Sequence, residues 1–188
     1  MKVQVSIPSV IQNKLAYLSA FTVQARSPVK RDRYTREVIF VGSESSPRLA
    51  KSLTQLCKGI ALSFGRFEVQ DGDFDFMLEI ALSSIPSLRY KIISLLYNQG
   101  SLKFSEVHEL LGLSETGVHR LLEDLRLLKV IDMQGTGRFA QYNLTNHALE
   151  LINGFKPQSD ETGLSLGLDS GGIHIPPRNA ETNAERRE

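Results

Sequence analysis

Thr116, His119 and Arg120 stand three and four residues apart, just after Ser114, so a helix through them puts all three on one side. A hydroxyl, an imidazole and a guanidinium grouped in this way can donate to and accept from the edges of base pairs, with arginine able to make two bonds to one guanine. A second group is Gly135-Thr136-Gly137-Arg138. There Thr136 and Arg138 share a glycine-rich tip from which a guanidinium can reach a phosphate or a minor groove. A third is the run holding Arg26, Lys30, Arg31, Arg33 and Arg36, which suits a phosphate backbone and suits a solvated loop equally well.

The elements that must carry these side chains can be read from the same stretch. Ser105 to Leu111 reads as a short helix with a serine cap, acidic groups in its first turn and a stop at Gly112. Leu113 turns inward. Ser114 caps a second helix in which Val118, Leu121, Leu122 and Leu125 form the apolar stripe, leaving Glu115, Thr116, His119, Arg120 and Glu123 on the solvated face. Two alternating runs follow, Val130–Gln134 and Phe139–Leu144, joined by the glycine-rich tip as a hairpin. Thr145 then caps a last helix that should end before Gly154. Helix, turn, helix and β-ribbon in this order are the winged-helix arrangement for placing one helix in a DNA groove.

Glu109-Leu110-Leu111-Gly112-Leu113-Ser114, the Val118–Leu125 helix and Tyr142-Asn143-Leu144-Thr145 resemble the winged-helix domains of MarR-type and ArsR-type regulators over roughly residues 85–153. The chain departs from that pattern at Lys129, where such domains usually turn through a glycine, and at Ala148, where a glycine often follows the threonine. The resemblance implies a DNA-binding regulator. Winged helices also dock onto proteins, so the fold is a broader inference than the activity.

The front half reads as helix, basic loop, strand and three further helices. Val10–Gln24 carries Val10, Ile11, Leu15, Leu18 and Phe21 at helical spacing, and Glu37–Val41 reads as a strand after the loop at 26–36. Ser46-Pro47 starts a helix with Leu49, Leu53, Leu56, Ile60 and Phe64 on one side, running to Gly65. After the extended Phe67-Glu68-Val69, Asp71 or Asp73 starts a helix holding Phe74, Met77, Leu78 and Leu82. Pro86 opens the next, with Leu88, Ile92, Leu95 and Leu96 inward. The strand, Ser46-Pro47-Arg48-Leu49, Gly59-Ile60-Ala61-Leu62 and Phe67-Glu68-Val69 are similar to the helical lid of AAA+ ATPases that carry a C-terminal winged helix. That resemblance implies a nucleotide-sensing role for Arg48. The 188 residues contain no Gly-x-x-x-x-Gly-Lys-Ser/Thr loop to cradle a triphosphate.

A net charge of +1 conceals an uneven distribution. Residues 1–66 hold eleven lysines and arginines against Asp32, Glu37 and Glu44; residues 67–85 hold five acids and no base; residues 86–154 hold seven of each. The winged segment is therefore close to neutral and the cations lie ahead of it. With 41% hydrophobic and 23% charged residues the composition is that of a soluble globular protein, and no apolar run reaches membrane length. Met1-Lys2-Val3-Gln4-Val5-Ser6 lacks the apolar centre of a signal peptide, so a cytoplasmic location is expected.

Catalytic and metal chemistry find little support. Asp71-Gly-Asp73-Phe-Asp75 lacks the glycine and the distal glutamate of a calcium loop, so helix capping explains it better. His108 and His119 have no partner at ligand spacing, and no nucleophile, base and orienting group come together. Lone Cys57, among Leu53, Leu56 and Ile60, reads as a buried thiol. From Phe155 onward glycine and proline are frequent and large apolar side chains few, which reads as a disordered tail, with Leu164, Leu166, Leu168, Ile173 and Ile175 as a docking alternative.

The expectation is a mainly α-helical protein: a lid-like helical region over 1–83, a winged helix-turn-helix with a small β-hairpin wing over 84–154 and a disordered tail over 155–188. It is expected to bind double-stranded DNA as a non-catalytic transcriptional regulator without cofactor or metal, as a homodimer and away from membranes. One alternative is the lid and winged-helix part of an AAA+ ATPase module acting in DNA replication or remodelling. Another is a protein-docking winged helix.

Overall fold

The computed structural model describes residues 4–42 and 44–156; the tail expected to be disordered lies outside them beyond Lys156. Among the described residues the chain is mainly helical with two small antiparallel sheets. In chain order these are α1 (Ser9–Arg26), β1 (Val29–Arg31), β2 (Val38–Val41), α2 (Ser46–Ser63), α3 (Asp71–Ser83), α4 (Ser87–Gln99), β3 (Leu102–Lys103), α5 (Phe104–Leu111), α6 (Glu115–Leu127), β4 (Ile131–Gln134), β5 (Gln141–Leu144) and α7 (Asn146–Phe155).

Helix α1 lies at the centre, packed against α2 and α3 on one side and α7 on another. Its Ile11, Leu15, Leu18, Phe21 and Ala25 are buried, while Val10, expected in the stripe, is exposed at the first turn. The Phe21 and Phe155 rings meet at 5.7 Å and join α1 to α7. One continuous apolar cluster runs from Val5 to Phe155 through every helix. The expected stop before Gly154 is corrected by this packing: α7 continues to Phe155, and a Cβ on Gly154 would come within 2.4 Å of the Tyr17 ring. Glycine serves there as a close-approach residue, not a terminator.

The cap of α2 shifts by one residue, while α3 and α4 start where the sequence places them, at Asp71 and just after Pro86. Helix α2 starts at Ser46, with Ser45 as its cap residue and Pro47 in the first turn; Leu53, Cys57 and Ala61 face the core, whereas Leu56 and Phe64 are exposed. The buried ridge takes the small residues where the helices approach closely, which turns two of the expected leucine and phenylalanine positions outward. Helix α3 begins at Asp71 with Gln70 ahead of it, and α4 turns Leu88 outward and buries Arg89 in its place. The Cys57 thiol is buried beside the backbone of Asp73, and burial followed by the Asp73 charge pushes it up to about 11, leaving it protonated near neutral pH.

Asp73 is only 2% exposed and still charged. Arg66 grips both its oxygens at 2.7 Å, and the Gln70 N–H donates to one of them at 2.9 Å, closing the first turn of α3. The Arg66 hydrogen bonds, helped by that of Gln70 and opposed by burial, hold this carboxyl below its ordinary value of 3.8. The stabilisation is therefore complete above the unfolded value and is lost as pH falls through the lower folded one. Asp73→Asn is expected to lower the melting temperature at neutral pH and to flatten its fall in strong acid. An acid limb identical to the wild type's would remove Asp73 from the acid response.

The second sheet has strand order β3-β5-β4, with Leu102 opposite Tyr142 and Ile131 opposite Leu144. The two-residue β3 is too short to show alternation in the sequence. The first sheet is the hairpin β1–β2, paired from Val29↔Val41 to Arg31↔Val38 with an irregularity at Lys30/Arg31. The basic run at 26–36 is thus the last residue of α1 followed by the first strand and the turn of a hairpin, instead of a free loop.

Candidate nucleic-acid interface

Helix α6 is defined at both ends by local chemistry. Gly112 takes φ 63°, closing α5, and Ser114 Oγ accepts the Gly117 N–H at 3.3 Å to open α6. At the other end Lys129 donates to the Arg126 carbonyl at 2.8 Å and Val130 to that of Leu125 at 2.9 Å. This is the paired closure that usually turns through glycine, and here Lys129 adopts φ 57° to make it. The Gln24 amide of α1 adds hydrogen bonds to the Leu128 and Lys129 carbonyls at 2.9 and 3.0 Å. The departure from glycine at Lys129 is thereby accommodated without loss of the turn.

Val118, Leu122 and Leu125 are buried and Leu121 is half-buried, so the opposite face of α6 presents Glu115, Thr116, His119, Arg120 and Glu123 to solvent. Ser114, expected as a contact, spends its hydroxyl on the cap. His119 lies over the Phe104 ring of α5, with centroids 4.1 Å apart and planes 22° apart; His108 stacks more loosely on the same ring at 6.1 Å. Phe104 thus stacks on the His119 imidazole, and His119 remains exposed. The helix holding Phe104 begins one residue before the expected Ser105 cap, because the Glu106 carboxylate accepts the Lys103 N–H at 2.6 Å and performs that cap itself.

In the β4–β5 hairpin, Gly135 and Gly137 take φ 80° and 58°. The strands expected to meet across Gly135–Arg138 are in fact joined by 135–140, since 137–139 form a single tight 3-10 turn and Phe139 leaves the strand, 76% exposed. Thr136 is exposed and accepts the Phe139 N–H. The Arg138 backbone lies in that turn; its side chain is outside the described residues.

The basic run divides into two sets. Arg26 is held by Glu44 at 2.6 Å and by Ser84, and Arg31 by Glu123 at 3.0 Å and Asp124 at 2.6 Å on α6. Asp124 also accepts Arg89 at 3.1 Å, and Arg89 itself donates to the Ala25 and Ser27 carbonyls. Two of the five expected phosphate contacts therefore build the fold. Lys30, Arg33 and Arg36 are exposed, and among the described residues none of them pairs with a carboxylate. The Arg31–Glu123 pair has an electrostatic effect on the candidate interface as well: it neutralises a carboxylate that shares a face with Thr116 and Arg120.

Arg48 is exposed in the first turn of α2. Among the described residues no group of three histidine, cysteine or carboxylate side chains could hold a metal ion, and no helix is long and apolar enough to cross a membrane. No protein-family model, curated protein or solved structure matches this chain.

Proposed function

We propose that the chain is a non-catalytic DNA-binding protein of the winged-helix kind, a cytoplasmic transcriptional regulator that lays the N-terminal half of α6 in the major groove of a duplex, with the β4–β5 hairpin on the flanking backbone. The observation that carries this reading is the exposed group of Thr116, His119 and Arg120 on α6, opposite the buried Val118, Leu122 and Leu125. Arg120 is the base-reading group and Thr136 and Arg138 belong to the wing. One recognition helix gives modest affinity, so a homodimer reading two half-sites belongs to the same proposal.

The experiment is a titration of duplexes selected from a randomised pool. Arg120→Ala is expected to weaken the selected duplex by about 1–3 kcal/mol, roughly 5- to 150-fold, with unchanged melting, because the side chain is exposed and one bidentate base contact has that size. Equal affinity of variant and wild type removes α6 from the interface and favours protein docking.

The second reading, a lid and winged helix serving an AAA+ motor, is favoured by one observation: Arg48 stands free of ion pairs among the described residues, in the first turn of α2 where such a sensor stands. A nucleotide-binding loop encoded in frame ahead of this segment would decide for it.

A further inference from the structure

The β1–β2 hairpin carries a group of rings and cations that is exposed among the described residues. Tyr34, at its tip, is 89% exposed, and Phe40 on the returning strand is 50% exposed. Lys30 lies across from Phe40 in the strand pair, with its ammonium 5.9 Å from the ring centroid. Arg33 and Arg36 flank Tyr34 and are exposed. The tip is an ordered turn: the Asp32 carboxylate accepts the N–H of Tyr34 at 2.7 Å and of Thr35 at 2.8 Å, and the Arg36 N–H returns to the Asp32 carbonyl at 3.1 Å. Arg31, on the other face of the strand, fastens the hairpin to Glu123 and Asp124 of α6. A fixed hairpin that shows rings beside cations with no carboxylate partner among the described residues has the two components of sequence-tolerant single-strand binding, stacking platforms and a phosphate track.

We propose that this hairpin binds single-stranded nucleic acid, with Tyr34 and Phe40 stacking on unpaired bases and Lys30, Arg33 and Arg36 following the phosphates. The placement rests on the duplex reading of α6. Because Arg31 joins β1 to the exposed face of α6, a strand leaving a duplex held by that helix passes along the hairpin, and the full ligand is a duplex-to-single-strand junction. A protein partner would leave the cations without counterparts unless it were acidic, whereas a nucleic-acid strand satisfies rings and cations together.

The test measures fluorescence anisotropy of labelled dT20, of the pool-selected duplex and of a fork joining the two. Tyr34→Ala/Phe40→Ala is expected to reduce dT20 affinity on the order of tenfold for each ring while changing duplex affinity by less than about twofold. Lys30→Gln/Arg33→Gln should lower the slope of log affinity against log salt on dT20 by about 1.4, two phosphate contacts on a single strand. Arg120→Ala should leave dT20 binding intact. Should the double ring variant melt early, Tyr34→Ala alone decides, since that ring has almost no packing to lose. Failure of the wild type to bind dT20, or equal binding by the ring variants, overturns the proposal. In that event a loss of duplex affinity in Arg120→Ala still upholds the duplex reading. Ring-dependent dT20 binding without any duplex binding would sink the duplex reading alone.

Discussion

Asp124→Ala should destabilise the chain by about 3–5 kcal/mol, the cost of leaving buried charges without their partner. The Asp124 side chain is 16% exposed and takes one guanidinium on each oxygen, Arg31 at 2.6 Å and Arg89 at 3.1 Å. Arg89 is 7% exposed and keeps only the Ala25 and Ser27 carbonyls when Asp124 is removed. For a chain of this size the loss corresponds to a fall in melting temperature on the order of 10 °C. Glu123→Ala is the control. Its carboxylate is 53% exposed, so its bond to Arg31 is worth less than about 1 kcal/mol. A wild-type melting curve for Asp124→Ala would mean that both arginines relax into solvent. The variant should also free the β1–β2 hairpin, so its amide protons should exchange faster than those of the α1 core.

Helix α6 and the caps around it are legible because their signals are local. The αL glycine at 112, the Ser114 and Thr145 caps and the three-and-four spacing of Val118, Leu122 and Leu125 all act within a few residues. What escaped the sequence depends on partners far along the chain. Arg31 and Asp124 are 93 positions apart, and Arg89 and Asp124 are 35 apart, so each charge taken singly reads as solvated surface. Arg31 looked like a phosphate ligand for the same reason. Gly154 looked like a helix stop because nothing near it in sequence announces the Tyr17 ring against which it packs. The strand β1 is only Val-Lys-Arg, and its pairing is irregular at Lys30/Arg31, too short for alternation to show. The exposed face of α6 follows from periodicity, whereas the division of the basic run into structural cations and those without a carboxylate partner among the described residues requires the folded contacts.

Phe155→Ala should cost about 3–5 kcal/mol and lower the melting of the whole chain in one transition. The ring is 1% exposed, packs on Phe21 and sits at the last residue of α7, just where composition suggested a tail would begin. Its effect should not stay local. α1 presses on α7 with one side and on α2 and α3 with others, and its Gln24 caps the end of α6, so the front helices and the segment bearing α6 bury one continuous cluster. Loss of the ring leaves a cavity at the α1–α7 contact, and the front helices then lose the surface against which α1 is held. Thermal unfolding followed both by far-ultraviolet circular dichroism and by near-ultraviolet tyrosine signals checks this, since the chain has no tryptophan and five tyrosines spread over both halves. Coincident curves shifted together are expected. Two separated transitions, with only the later residues affected, would show instead that the regions before and after residue 84 fold independently. The joint between the basic hairpin and α6 would then rest on the bonds of Arg31 to Glu123 and Asp124.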